Sequence, residues 1–238
     1  MTENINPLQK YYRQPAIYIK LPSAGRYYDR NVYTPSETGE IPILPMTAKD
    51  ELAFKTPDAM INGQATVDVI KSCVPNLLDP WKMVNYDTDT VLLAIRIATY
   101  GETMNIRFAV PVTGAEQEHT VNLPAILDDL GKVKIEDYAT TSKGFKIKIM
   151  PLTYDTLTKI QIARFEQQKI YGTINSSTLT EEQKQTAFAK SFETLNTVNF
   201  SLLLDSIGEI TTPDGITVTD RQQIIEFCNK ADSKTIKE

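Results

Sequence analysis

The chain is poor in the residues that carry chemistry. Its 238 residues include one histidine, His119, and two cysteines, Cys73 and Cys228, far apart in sequence. A histidine-rich metal site is thereby excluded, as are a paired-thiol redox motif and a four-cysteine zinc site. Any Ser-His or Cys-His mechanism would have to run through His119 alone. Both cysteines read as small buried apolar residues. Neither G-x-G-x-x-G nor G-x-x-x-x-G-K-[ST] occurs, so the phosphate cradles of nucleotide-binding folds are missing. The longest apolar runs, such as Val91 to Ile95, fall far short of the roughly 18 residues that span a bilayer. The opening MTENINPLQKYYRQP has no apolar stretch behind a basic start, so no secretory leader is expected and a cytosolic setting follows. Positive charge is not in excess: 25 Lys plus Arg against 30 Asp plus Glu leaves −5, the wrong sign for sequence-independent DNA binding.

What is present is an ordinary globular composition, 41% hydrophobic, with its aromatics unevenly spread. Six of the eleven tyrosines, Tyr11, Tyr12, Tyr18, Tyr27, Tyr28 and Tyr33, fall in the first 36 residues, among Lys10, Arg13, Lys20, Arg26 and Arg30. We read 1–36 as an extended aromatic and basic arm. Tyr and Arg carry much of the energy at protein interfaces, which makes Tyr11, Tyr12, Arg13, Arg26, Tyr27 and Tyr28 the candidate partner-binding residues. Basic aromatic segments also stack single-stranded bases; Tyr11, Tyr12, Arg13, Arg26 and Tyr27 would serve that alternative, against the acidic total.

Residues 37–142 read as an α+β domain. Glu40 to Leu44 is a short strand, whose Pro42 suits only an edge. Thr47 and Asp50 then form a variant of the capping box for a helix closed by Pro57. Helices follow over Ala65 to Cys73 and from Asp87 or Thr88 to Gly101, with apolar residues at helical spacing. Asp87 and Asp89 fit a solvated helix start, where carboxylates meet the positive end of the dipole. The period then changes to alternation over Asn105–Val110 and Glu118–Leu123, a β-hairpin around 111–115 that leaves His119 facing solvent or a cross-strand neighbour. Pro124 opens a short helix. Its Asp128 and Asp129 are adjacent, so they point about 100° apart and build no acid/base pair.

Residues 143–238 read as mainly helical. Lys146–Ile149 is a strand, and Met150-Pro151-Leu152-Thr153 repeats the strand-Pro-x-Thr-helix grammar of Leu44-Pro45-Met46-Thr47. Proline removes a donor where pairing must stop, and threonine satisfies the first helical amides. A helix from Tyr154 to Tyr171, a polar loop over 172–178 and a capping box at Thr180–Gln183 lead into a long helix reaching about Ile207, whose apolar stripe needs a partner. Asp214-Gly215 proposes a small hairpin, and a last helix covers Ile224 to Asn229. The fold class is therefore α+β, mostly helical, with short strands, a β-hairpin and two strand-Pro-x-Thr-helix units.

Several stretches in this order resemble the baseplate hub protein family of T-even-type contractile-tailed bacteriophages: Leu21-Pro22-Ser23-x-Gly25-x-x-Tyr28, Pro45 to Glu51, Asn62-Gly63, Val69 to Pro75, and Asp87-x-Asp89 leading to Ala94–Ala98. The resemblance runs from about residue 15 to 130 and extends less fully through Met150–Thr153 and Phe165-Glu166. Many relatives place a C-P-x-C-G knuckle on the hairpin; here Val110-Pro111-Val112-Thr113-Gly114 lacks both thiolates, so no zinc knuckle is expected. The resemblance implies docking onto other phage baseplate and tail hub proteins, as an assembly factor or chaperone in the host cytoplasm or as a permanent part of the virion. It implies no cofactor, and we expect no enzymatic activity.

Overall fold

Ile17 and Ile19 alternate with Tyr18, and Ile41 and Ile43 with Pro42, and the two short runs pair. Strands β1 (Ile17–Ile19) and β2 (Ile41–Ile43) are antiparallel in the register Ile17↔Ile43, Tyr18↔Pro42, Ile19↔Ile41. This puts Ile19, Ile41 and Ile43 inside and Tyr18 outside. In a sheet of two strands both are edges, so the donor that Pro42 lacks is not missed. The computed structural model describes residues 6–56, 62–111, 114–176 and 180–232. It is α+β and mostly helical, and divides into two units, Met1–Val133 and Lys134–Glu238.

In the first unit, helices α1 (Ala48–Phe54), α2 (Gln64–Cys73) and α3 (Asn85–Tyr100) surround the β1–β2 pair. Val69, Ile70, Val91, Ala94 and Ile95 meet Ile41, Ile43, Leu21 and Tyr33 in one core. Residues 17–36 are therefore part of this domain and not a separate arm, a correction to the reading of 1–36. Its first turn is also not extended: Pro7–Tyr11 is a 3-10 helix, capped where the Asn6 side chain accepts from the Leu8 amide. The boundary falls at Val133, not at 142, because α4 (Leu123–Gly131) ends the packing on α3. Strands β3 (Thr103–Ala109) and β4 (Glu116–Asn122) form the expected hairpin, seven pairs long, with Ile106 opposite His119. Its tip residues 112–113, like Pro57, lie outside the described residues.

The second unit is built on a four-stranded antiparallel sheet in sequence order: β5 (Tyr138–Thr140), β6 (Lys146–Ile149), β7 (Ile207–Thr211) and β8 (Thr217–Val218). Strand β5, three exposed residues, shows no usable alternation in sequence. Helix α5 (Tyr154–Ser176) runs past Gly172, and α6 (Glu181–Asp205) starts at the expected capping box of Thr180 and Gln183. A glycine within a helix costs only about 1 kcal/mol, so the expected loop is shorter, and residues 177–179 lie outside the described ones. The two helices pack on each other, with Tyr171 stacked on Phe188 at 5.3 Å and Ser191 donating to Gln167 at 2.5 Å. Helix α7 (Arg221–Lys230) places Ile224 and Cys228 against Leu204, Ile207 and Ile210. Both cysteines are buried.

Candidate docking surface

Two polar networks hold the N-terminal segment onto the first unit. In one, the Arg13 guanidinium donates to the Ser72 carbonyl and hydroxyl at 2.6 and 2.9 Å and to the Pro45 carbonyl at 2.8 Å. It also lies 3.4 Å from Asp50, whose Oδ2 accepts from the Thr47 amide and hydroxyl, both at 2.8 Å, and from the Ser72 hydroxyl at 3.0 Å. The capping box read from Thr47 and Asp50 is thus one corner of a larger structure. Burial alone would push the Asp50 carboxyl up, but the bonds from Thr47 and Ser72 and the charge of Arg13 outweigh it and hold it below the usual range. Burial, followed by the nearby Asp50 charge, pushes the Cys73 thiol up to about 11, against the opposing pull of Arg13. Such a thiol is a poor nucleophile.

In the other network Asp87 is fully buried. Its Oδ1 accepts from the Ser23 amide at 2.9 Å, and its Oδ2 accepts from the Ser23 hydroxyl and from the Tyr28 phenol at 2.6 Å. The Tyr28 oxygen in turn accepts from the Val84 amide at 3.0 Å, at the start of α3. Asp87 is therefore not the solvated helix-start carboxylate expected from sequence. Burial raises its pKa even though Ser23 and Tyr28 favour its charge, and burial with the Asp87 charge raises that of Tyr28. Gly25 fits this turn by its positive φ of 75°; a Cβ there would lie 2.8 Å from the Tyr33 ring.

These networks divide the candidate partner-binding residues. Arg13 and Tyr28 spend their polar groups inside the unit. Arg26 donates to the Ser23 carbonyl at 3.2 Å and lies over the Tyr27 ring at 5.5 Å. Tyr11 and Tyr12 are exposed, at 73% and 56%, together with Leu8 at 62%. Exposed aromatic and apolar side chains thus follow one another on and just after the Pro7–Tyr11 turn, next in sequence to the Arg13 anchor. Leu8, missed by a reading centred on Tyr and Arg, follows a proline at the start of that turn, its only sequence cue. His119 lies on the exposed hairpin, and among the described residues no three His, Cys, Asp or Glu are placed to hold a metal ion. Beside α1 and α3 lies a mainly apolar groove of 380 Å³ formed by Met46, Phe54, Leu92, Ile95 and Tyr100, with Arg96 stacked over Tyr100 at 4.6 Å.

The family model described as T4 bacteriophage base plate protein matches residues 19–238. The chain belongs to this family. No curated protein and no solved structure matches it significantly. The matched part of the baseplate protein contains Ser23, Gly25, Tyr28, Asp50, Ser72 and Asp87, while Leu8, Tyr11, Tyr12 and Arg13 precede it. Several of the motif residues behind the resemblance, Ser23, Tyr28, Thr47, Asp50, Ser72 and Asp87, are those that lock residues 21–28 and α1 onto the helical core. Among the described residues, no helix is long and apolar enough to cross a membrane.

Proposed function

We propose that this baseplate protein acts in assembly of the tail hub by docking onto other hub proteins, as an assembly factor and without making or breaking covalent bonds. One observation carries the reading: its best-organised polar groups, Arg13 with Asp50 and Ser72, and Asp87 with Ser23 and Tyr28, bond to each other inside the unit, while Leu8, Tyr11 and Tyr12 are left exposed. A catalytic centre needs the reverse, polar groups converging on a space that a substrate can enter. Exposed aromatics close to a rigid anchor suit a protein partner, since their large area is ordered at little entropic cost. Co-expression with the hub proteins of the same phage, followed by pull-down, tests this. Capture that weakens at least tenfold in Tyr11→Ala/Tyr12→Ala supports it; no capture of any hub protein overturns it. Mass spectrometry of purified particles separates a permanent hub component, which is retained, from an assembly factor that leaves.

A further inference from the structure

The β3–β4 hairpin stands as a two-stranded sheet, and every residue of it except the half-buried Val121 is exposed. Such ribbons are marginal in water unless a third element joins them. The flanking bonds set the phase of the ladder: Val110 N–H donates to the Ala115 carbonyl at 3.0 Å, and Leu123 N–H to the Glu102 carbonyl at 2.9 Å. With the observed register, the pairs Phe108↔Gln117, Ile106↔His119 and Met104↔Val121 are the hydrogen-bonded ones. The backbone groups of Thr103, Asn105, Arg107 and Ala109 therefore point away from β4, as those of Glu116, Glu118, Thr120 and Asn122 point away from β3. Alternation puts Met104, Ile106, Phe108 and Val121 on one face, with the first three 36%, 40% and 46% exposed.

The two free edges are not equivalent. The β4 edge carries Glu116 and Glu118, the kind of charge that guards an edge against pairing. The β3 edge carries one charge, Arg107, held only loosely by Glu118 at 3.8 Å across the ribbon. We propose that the β3 edge is a strand-addition site. Its occupant is an extended segment of another baseplate polypeptide, alternating apolar and polar residues, with an acidic residue beside Arg107. Main-chain bonds to Thr103, Asn105, Arg107 and Ala109 supply the pairing, and the apolar residues of the added strand extend the row of Met104, Ile106 and Phe108. The proposal deepens the docking reading above and rests on it.

The test titrates the isotope-labelled full chain with the acetylated, amidated peptide Thr-Val-Glu-Val-Thr-Val and follows amide shifts and hydrogen exchange. Saturable shifts and at least tenfold slower exchange are expected at Thr103, Asn105, Arg107 and Ala109, with Glu116, Glu118 and Thr120 unchanged. Arg107→Glu, which leaves the backbone intact, is expected to weaken the peptide at least fivefold and to favour Thr-Val-Lys-Val-Thr-Val instead. Asn105→Pro removes one outward donor without touching a ladder bond and is expected to lower affinity at least tenfold. Protection on the β4 edge, no protection on either edge, or equal affinity in Arg107→Glu would overturn the proposal. So would concentration-dependent protection of the β3 amides without peptide, which would make a second copy the occupant. In pull-down, equal capture of hub proteins by wild type and Asn105→Pro defeats the edge while sparing the docking reading; absence of capture by both defeats the docking reading itself.

Discussion

The Tyr28 phenol donates to the Asp87 carboxylate at 2.6 Å inside the first unit, although the two residues are 59 positions apart. Asp87→Ala would strand the Ser23 amide, the Ser23 hydroxyl and the Tyr28 hydroxyl without their acceptor. Buried donors left unpaired cost about 1–3 kcal/mol each, though not additively. Urea denaturation of Asp87→Ala is expected to show a loss of about 3–4 kcal/mol, and Tyr28→Phe about half of that. A loss below about 1 kcal/mol in Asp87→Ala would show that the network contributes little.

The two buried carboxylates of this unit should respond to acid in opposite senses. Asp50 has a lowered pKa, so the folded state releases its proton more readily than the unfolded chain. Its contribution is present above the unfolded value of about 3.9 and is lost as pH falls through the folded one. Asp87 has a raised pKa, so the folded state holds its proton more tightly, and stability falls as pH rises from about 3.9 through the folded value. Urea unfolding between pH 2 and pH 6 (roughly two units either side of the carboxylate range) is expected to show a shallower acid limb in Asp50→Asn and a steeper one in Asp87→Asn. The same slope in both variants would contradict this assignment.

At Gly25 a side chain meets two obstacles, a φ of +75° and the Tyr33 ring 2.8 Å from an added Cβ, whereas at Gly39, with φ +74°, nothing lies within 4 Å. Gly25→Ala is expected to cost about 2–3 kcal/mol and Gly39→Ala about 1 kcal/mol, the left-handed term alone. Thermal melts of the pair separate steric from backbone cost; equal shifts would mean that the Tyr33 ring gives way freely.

Within the α5–α6 pair, Ser191 donates to Gln167 and both are buried. Ser191→Ala leaves the Gln167 oxygen unpaired and should cost about 1–2 kcal/mol, while Ser191→Ala with Gln167→Leu should recover most of it, since removing both partners is near neutral. A double-mutant cycle read by urea denaturation checks this. Additive losses would show that the two side chains are not coupled.

Local elements were largely legible in the chain. The capping boxes at Thr47–Asp50 and Thr180–Gln183, the alternation of β3 and β4, and the strand-Pro-x-Thr-helix grammar lie within a few residues, and local sterics and hydrogen bonds dictate them. The candidate surface was legible only in part. Tyr11 and Tyr28 look alike in sequence, yet one is mostly exposed and the other donates its phenol hydrogen to a buried carboxylate. Arg13 likewise reads as a contact residue until Ser72, brought near by α2, supplies its acceptors.

By itself the sequence determined the class of the protein, most of its helices and strands apart from β5 and the Pro7–Tyr11 turn, and the baseplate family to which it belongs, because periodicity, capping and motif order are properties of neighbouring residues. Only the tertiary structure decided that Asp87 is buried, that residues 17–36 are part of the first unit and give Ile19, Leu21 and Tyr33 to its core, and that Leu8, Tyr11 and Tyr12 are left outside. Burial depends on which distant segments supply hydrogen-bond partners and apolar cover, and no short stretch of chain carries that information.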